Sequence, residues 1–439
     1  MSDGSVFDGM GFGYSGLIFG EIVFNTGMVG YTETLTDPSY AGQIVTLTYP
    51  LVGNYGVPDP ELKTDGLPKF FESDKIQVRG LVVHELSLTA SHWNLTMTLD
   101  EWMYKEKIQG ISGIDTRELT KKLRESGVMM GALAVSDNEI DENDVKNKLK
   151  SAPNYNNEKF MSSVSTKKAE KFGNELENIV LIDTGAKNAI IRNIHDIGYN
   201  TVRVPWDTSI EEILKHKPKG VVISNGPGDP ENCPETISTA KSLIQKNIPT
   251  LGICLGAQIL AAAGGAQTYK LKYGHRGQNK PCVNLDNNQV YVTSQNHGYC
   301  INPDSLGNTE FDLWFSNVDD KTVEGVKHKN KKCIAVQFHP EASPGPYDCK
   351  FVFDELKNIM EGVCVTYQAR IAILSFRAHH VIHLIHRRHC YQVCCKVHTG
   401  PVRDGNIESD PIQFPFELRE NLLNDLWGTG GIGNDILDR

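Results

Sequence analysis

A cysteine set among glycines, Gly252-Ile253-Cys254-Leu255-Gly256, and a histidine one residue removed from a carboxylate, His339-Pro340-Glu341, are the residues of this chain whose types and spacing can do covalent chemistry. A cysteine attacks as its thiolate, and a free thiol is only slightly ionised near neutral pH. A nucleophilic cysteine therefore needs a base within hydrogen-bond reach and a group that orients the base. Cys254, His339 and Glu341 supply those three roles in principle. A structural cysteine buried beside a packing glycine would fill the same five positions, so the neighbouring elements have to decide.

Residues 248–251 are short and apolar enough for a buried strand, and 257–263 are rich in strong helix formers. A glycine-flanked cysteine between strand and helix has the form of a nucleophile elbow, with sulfur in place of oxygen. The chain reverses sharply there, and side chains two residues on either side would collide, which accounts for Gly252 and Gly256. Cys254 is expected on top of a sheet, at the positive end of a helix, where a thiolate is favoured. Residues 333–338 read as a strand that ends in His339. In an extended chain residues i and i+2 share a face, so His339 and Glu341 can meet across the stiff Pro340.

From residue 178 the pattern is regular: apolar runs at 179–183, 201–204, 220–224 and 248–253 alternate with helix-like segments. Such βα alternation specifies a parallel sheet covered on both faces, with reactive groups collecting beyond the strand C-termini. One of those ends, Ser224-Asn225-Gly226-Pro227-Gly228-Asp229-Pro230, is either a plain turn or a loop whose glycines let backbone N–H groups approach a ligand. The fold class is α/β: an N-terminal mixed, mostly β domain over 1–136, a polar linker over 137–177 with one or two short helices, and a second domain with a mostly parallel, doubly wound sheet over 178–362. Residues 363–439 are unassigned. In the first domain β-branched stretches separated by Gly and Asp37-Pro38-Ser39 read as strands and turns, and Asp115 with Glu118 marks a helix start that Gly127 closes.

The whole chain, 439 residues with net charge −10 and 39% hydrophobic residues, is ordinary for a globular protein. Its acidic balance and lack of a clustered basic stretch argue against nucleic acid or an anionic membrane as partner. The first residues carry no basic or apolar leader and no run approaches a membrane span, so the expected location is the cytoplasm. The ten cysteines follow no regular framework, and reduced thiols are the default.

The Cys254 elbow together with His339-Pro340-Glu341 resembles the class I glutamine amidotransferases. Residues 21–54, Asp115-Thr116-Arg117-Glu118-Leu119-Thr120, Ser294-Gln295-Asn296-His297-Gly298-Tyr299 and 340–348 more narrowly resemble the small subunit, or N-terminal glutaminase part, of carbamoyl-phosphate synthetases. The likeness spans roughly residues 2–362. It implies hydrolysis of glutamine to glutamate and ammonia, the ammonia passing to a large synthetase subunit or fused synthetase domain that uses bicarbonate. It further implies that Cys254 attacks the amide, that His339 protonates the leaving ammonia and then activates water, and that Glu341 holds the imidazole. Backbone N–H groups of Leu255 and Gly226 would meet the oxyanion, and Ser39, Gly228, Gln258, Asn296, Gly298 and Tyr299 would hold glutamine. No cofactor or metal is expected in this chain; ATP and a divalent metal belong to the large component. Two departures stand out. Ala257 occupies a position where many members carry histidine, so tuning rather than inactivity is expected, and the family usually has a strand ahead of Asp3-Gly4, where this chain starts. A non-catalytic docking subunit and a different class I amidotransferase or γ-glutamyl hydrolase are the competing readings. The retained triad speaks against the first, and the N-terminal 130 or so residues against the second.

The tail carries six histidines (379, 380, 383, 386, 389 and 398) and four cysteines (364, 390, 394 and 395). Their spacing lacks a paired Cys-x2-Cys half, so an extension or a linker to a synthetase region is favoured over a zinc site. Gly428-Thr429-Gly430-Gly431-Ile432-Gly433 fits a dinucleotide fingerprint formally but has no following helix to present its N-terminus.

Overall fold

Short apolar strands build two large sheets, beside two ribbons of two strands each among the described residues. The computed structural model describes residues 1–362 apart from Asp65 and Glu175, all within one unit, Met1–Tyr367. The expectations about the tail lie outside the described residues. The first sheet is six-stranded, in the spatial order Met10–Gly13, Gln109–Ser112, Gly80–Val82, Gln43–Leu47, Gly16–Asn25 and Met129–Val135. Its strands are buried alternately on two faces: Val23, Val45 and Leu81 join one apolar cluster, while Ile22, Ile44 and Val82 join another. The helix Thr116–Ser126 covers the second face through Leu119 and Leu123, with Asp115 accepting the Glu118 N–H at 2.9 Å and Gly127 ending it at φ 90°.

The second sheet has ten strands. Five of them are parallel neighbours, Asn200–Pro205, Asn178–Asp183, Gly220–Ile223, Thr250–Ile253 and Cys333–Val336. Val180 and Ile182 pack with the helices Pro234–Gln245 and Leu255–Ala263, whereas Ile179 and Leu181 pack with Asn188–Asp196 and Phe351–Glu361. This is the doubly wound core, covered on both sides because each strand is apolar on both faces. Beyond it the sheet continues antiparallel through Val323–His328, Phe311–Asn317, Thr268–Asn284 and Gln289–Ile301, and on the other edge through Glu170–Phe172.

The segment between the sheets is more than a polar tether. It holds the helix Glu142–Ser151, a turn at Tyr155–Asn157 and the short helix Met161–Val164. Tyr155, Phe160 and Met161 are buried in the same cluster as Val180 and Ile223. Polar composition set the expectation of a linker, but three apolar side chains at the right places tie it into the second sheet.

Candidate active site

Cys254 stands at the junction the sequence called for, between Thr250–Ile253 and Leu255–Ala263, with φ 53° and ψ −106°. A non-glycine residue in that region is strained, and the strain is held by neighbours: the Cys254 N–H donates to Val336 O at 2.8 Å and the Gly256 N–H to Ser224 O at 3.0 Å. A Cβ on Gly252 would lie 2.5 Å from Gly256 O, and one on Gly256 would lie 2.1 Å from Ile223 O. Both glycines are therefore required by backbone contact. Leu255 opens the helix, so its N–H is among those with no intrahelical acceptor. The Cys254 sulfur itself approaches Asn296 O at 3.6 Å and Gln337 Nε2 at 3.7 Å.

The strand leading to the base ends at Val336, two residues before the expected limit, because Gln337 turns to donate to Glu324 O. His339 regains the sheet through one bridge, its N–H donating to Ser294 O at 2.8 Å. His339 Nδ1 and Glu341 Oε1 are 2.6 Å apart, as the shared face of an i, i+2 pair allows. Nε2 makes no hydrogen bond of its own, which leaves it free for the reacting atoms, and catalytic contacts commonly tighten only on substrate binding. Burial works against a charged imidazole, but the Glu341 carboxylate and the Cys254 sulfur outweigh it and push His339 up to about 10. Burial likewise works against an ionised Glu341, and Lys187 followed by His339 overcomes it, holding the carboxyl well below the usual carboxylate range.

Lys187 is the participant that sequence reasoning missed. Its Nζ lies 3.1 Å from Glu341 Oε1 and donates to the Ala342 carbonyl, with a side chain only 3% exposed. Burial alone would depress this ammonium; Glu341, Glu72 and Asp37 together raise it instead. Glu72 comes from the first domain, accepts the Ala189 N–H at 2.9 Å and pairs with Arg192 at 2.5 Å. The N-terminal domain thus helps fix the loop that delivers Lys187.

In front of Cys254 lies a cleft of about 380 Å³. Every residue expected to contact glutamine lines it: Ser39, Gly226, Gly228, Leu255, Gln258, Asn296, Gly298 and Tyr299. Ser39 arrives from the first domain and accepts from Asn225 Nδ2 at 2.8 Å, while Asn296 Nδ2 donates to Asp37 Oδ2 at 2.9 Å. The Ser224–Pro230 loop is therefore a cleft wall. Gln258 Nε2 donates to Tyr299 O and to Gln337 Oε1, but its own Oε1 is buried without a partner. The sequence reading passed over Glu21, Gln43, Tyr155, Lys270 and Arg276, which also line the cleft. Glu21 is paired with Lys270 at 2.6 Å, and Arg276, 4% exposed, has an Nε without a partner. Ala257 is fully buried in the helix behind the nucleophile. The six cysteines among the described residues are all free, and no described helix is long and apolar enough to cross a membrane.

Comparison with known proteins agrees with this geometry. Residues 1–133 match the family described as "Carbamoyl-phosphate synthase small chain, CPSase domain", and residues 180–359 match "Glutamine amidotransferase class-I". The carbamoyl phosphate synthase small chain of Pyrococcus furiosus is 46% identical over 370 residues, covering 82% of this chain and 97% of that protein. Its counterpart in Methanopyrus kandleri is 44% identical, covering 81% and 96%. The pyrimidine-specific small chain of Bacillus subtilis is 43% identical, covering 82% and 95%. A strained cysteine elbow, a buried imidazole and carboxylate behind it, and relatives matched along nearly their whole length lead to one assignment: the chain belongs to the carbamoyl phosphate synthase small chain family.

Proposed function

We propose that this chain is the glutaminase component of a carbamoyl phosphate synthase, releasing ammonia from glutamine for a large synthetase chain or domain. The observation that carries it is the buried series Lys187, Glu341, His339 set beside Cys254 at the base of a cleft that both domains wall. Cys254 Sγ attacks the amide carbon, and the oxyanion forms against the Leu255 and Gly226 N–H groups, each donor being worth on the order of 10²–10³ in rate. The imidazolium of His339 gives its proton to the departing nitrogen as the C–N bond breaks. Now neutral, it takes a proton from water, the hydroxide opens the thioester, and glutamate leaves as Cys254 is restored. Glu341, held ionised by Lys187, keeps the ring in one orientation throughout. ATP and its divalent metal act in the large component.

The cleft also suits a free amino acid, which carries both signs of charge. The unpartnered Gln258 Oε1 is an acceptor for the α-ammonium, and Arg276 supplies a cation for the α-carboxylate. Arg276→Met is expected to raise the KM for glutamine roughly tenfold to hundredfold with a smaller effect on kcat, since a hydrogen bond to a charged group contributes about 1.5–3 kcal/mol. Steady-state kinetics decide, and an unchanged KM removes Arg276 from substrate binding.

His339 also predicts a pH dependence. Its value is raised in the folded protein, so the proton for the leaving ammonia is retained from acid pH until the pH rises through about 10. Glu341→Gln removes the larger of the two influences that oppose burial, the Cys254 sulfur being the other, so the imidazole loses its proton at lower pH and the alkaline limb of kcat moves toward neutral pH. An alkaline limb that stays in place in the variant would sever Glu341 from His339. The function as a whole is tested by glutamate release with and without the large chain, combined with a glutamine-analogue electrophile and peptide mapping. Labelling of Cys254 that glutamine protects against is the expected result; unprotected labelling elsewhere, with no glutamate released, would favour a docking subunit instead.

A further inference from the structure

Two histidines, of which His297 lines the cleft, meet a glutamate without a role in the chemistry above. His275 on Thr268–Asn284 and His297 on Gln289–Ile301 stand directly opposite one another in the antiparallel ladder, and Glu324 projects from Val323–His328. His275 Nδ1 is 3.4 Å, and His297 Nε2 3.9 Å, from the same oxygen, Glu324 Oε1. Bonds of about 2.0–2.2 Å to a tetrahedral zinc place ligand atoms roughly 3.3–3.5 Å apart, so these atoms stand close to ligand spacing already.

The far side of each ring is fixed as a ligand's would be. His275 Nε2–H donates to Asp320 Oδ2 at 2.8 Å, and His297 Nδ1–H donates to the Tyr299 carbonyl at 2.8 Å. Because a carbonyl only accepts, the proton of a neutral His297 is on Nδ1 and Nε2 offers its lone pair inward. Carboxylate and carbonyl partners of this kind set tautomer and orientation in metal-binding histidines. Two inward atoms are buried without a hydrogen bond, His275 Nδ1 and Glu324 Oε2. His275 Nδ1 has only the long approach to Glu324 Oε1 and Glu324 Oε2 has no partner, and a cation between them satisfies both. Gln295 Oε1, 3.4 Å from His297 Nε2, offers a fourth ligand atom beside them. Asp320, with a side chain 44% exposed, links His275 to solvent and gives an ion a way in.

We propose that His275, His297 and Glu324 form a binding site for a divalent transition cation, zinc in particular, that ties the glutamine-lining residues 296–299 to the strand carrying Glu324. Two imidazoles and a carboxylate suit zinc and cobalt, whereas calcium and magnesium call for an all-oxygen set. The test uses the full chain after chelator treatment, with zinc titrated against a chromophoric chelator. Wild type is expected to bind one equivalent more than Glu324→Gln or His275→Gln, and to gain thermal stability from zinc that the variants do not gain. The tail's histidines and cysteines are common to all three proteins, so the difference reports this site alone. Cobalt gives a second reading: the wild-type-minus-variant spectrum should show visible d–d bands without a thiolate charge-transfer band, because no sulfur is among the ligands. Equal zinc equivalents in wild type and a folded variant overturn the proposal. Should both variants fail to fold, a wild-type cobalt spectrum made up solely of thiolate-ligated metal overturns it as well.

Discussion

Cys254→Ala is expected to abolish glutamine-dependent carbamoyl phosphate synthesis in the assembled enzyme while synthesis from added ammonia continues at the wild-type rate. Loss of the nucleophile of a triad typically costs on the order of 10⁶ in kcat, because the groups act as a unit and the rest cannot substitute. The fold should survive. Only one sulfur is removed, and its contacts are loose, Asn296 O at 3.6 Å and Gln337 Nε2 at 3.7 Å. The elbow is held by backbone bonds from Cys254 N and Gly256 N that do not involve the side chain. Parallel assays with glutamine and with ammonium chloride make the measurement. Loss of both activities would mean that Cys254 supports the structure and that the attacking group lies elsewhere.

Much of this site was legible because its parts are local. The elbow is a five-residue steric problem, and the structure shows the same problem solved: a Cβ at Gly252 or Gly256 would strike backbone. His339 and Glu341 are linked by the period of an extended chain, which a sequence displays directly. The parallel strands were visible as apolar runs, and their register places Gly252 beside Ile223 and Ala335. The glutamine-contacting set is a different matter. Ser39 and Asn296 were found through family resemblance, since nothing local relates a turn in one domain to a strand in the other.

What escaped notice is non-local. Lys187 follows a strand in an unremarkable Gly185-Ala186-Lys187-Asn188 turn, and its meaning depends on Glu341 and on Glu72 of the other domain. No sequence window spans those three residues; the available signal was only a lysine just past the end of a parallel strand, where reactive groups collect. Arg276 and the pair Glu21 and Lys270 were hidden the same way, each being an ordinary polar residue of a strand until the two sheets meet. The intervening segment was read by its average composition, which its few buried aromatics do not change, yet Tyr155 reaches the cleft. The common cause is that a buried charge is tolerated only with its partners in place, and pairing across domains leaves no periodic trace.

His339→Asn separates binding from chemistry. The walls around the glutamine are built by Ser39, Gln258, Asn296 and their neighbours, none of which is altered, so the variant is expected to bind glutamine within a few-fold of wild type. Asparagine can still donate to Glu341, which spares the buried carboxylate from isolation. It can neither protonate ammonia nor deprotonate water, so thioester formation and breakdown should both slow, with kcat down by about 10⁶, as for loss of the nucleophile, the residual rate coming from the oxyanion donors and binding alone. Isothermal titration of glutamine and quenched-flow measurement of the thioester give the two halves of the result. Turnover at the wild-type rate would remove His339 from the mechanism, and a large loss of glutamine affinity would move it from proton transfer to substrate binding. Lys187 supports the first outcome over either alternative: a buried ammonium held against Glu341 stabilises a carboxylate, and through it an imidazolium, which is the form that must hand over a proton.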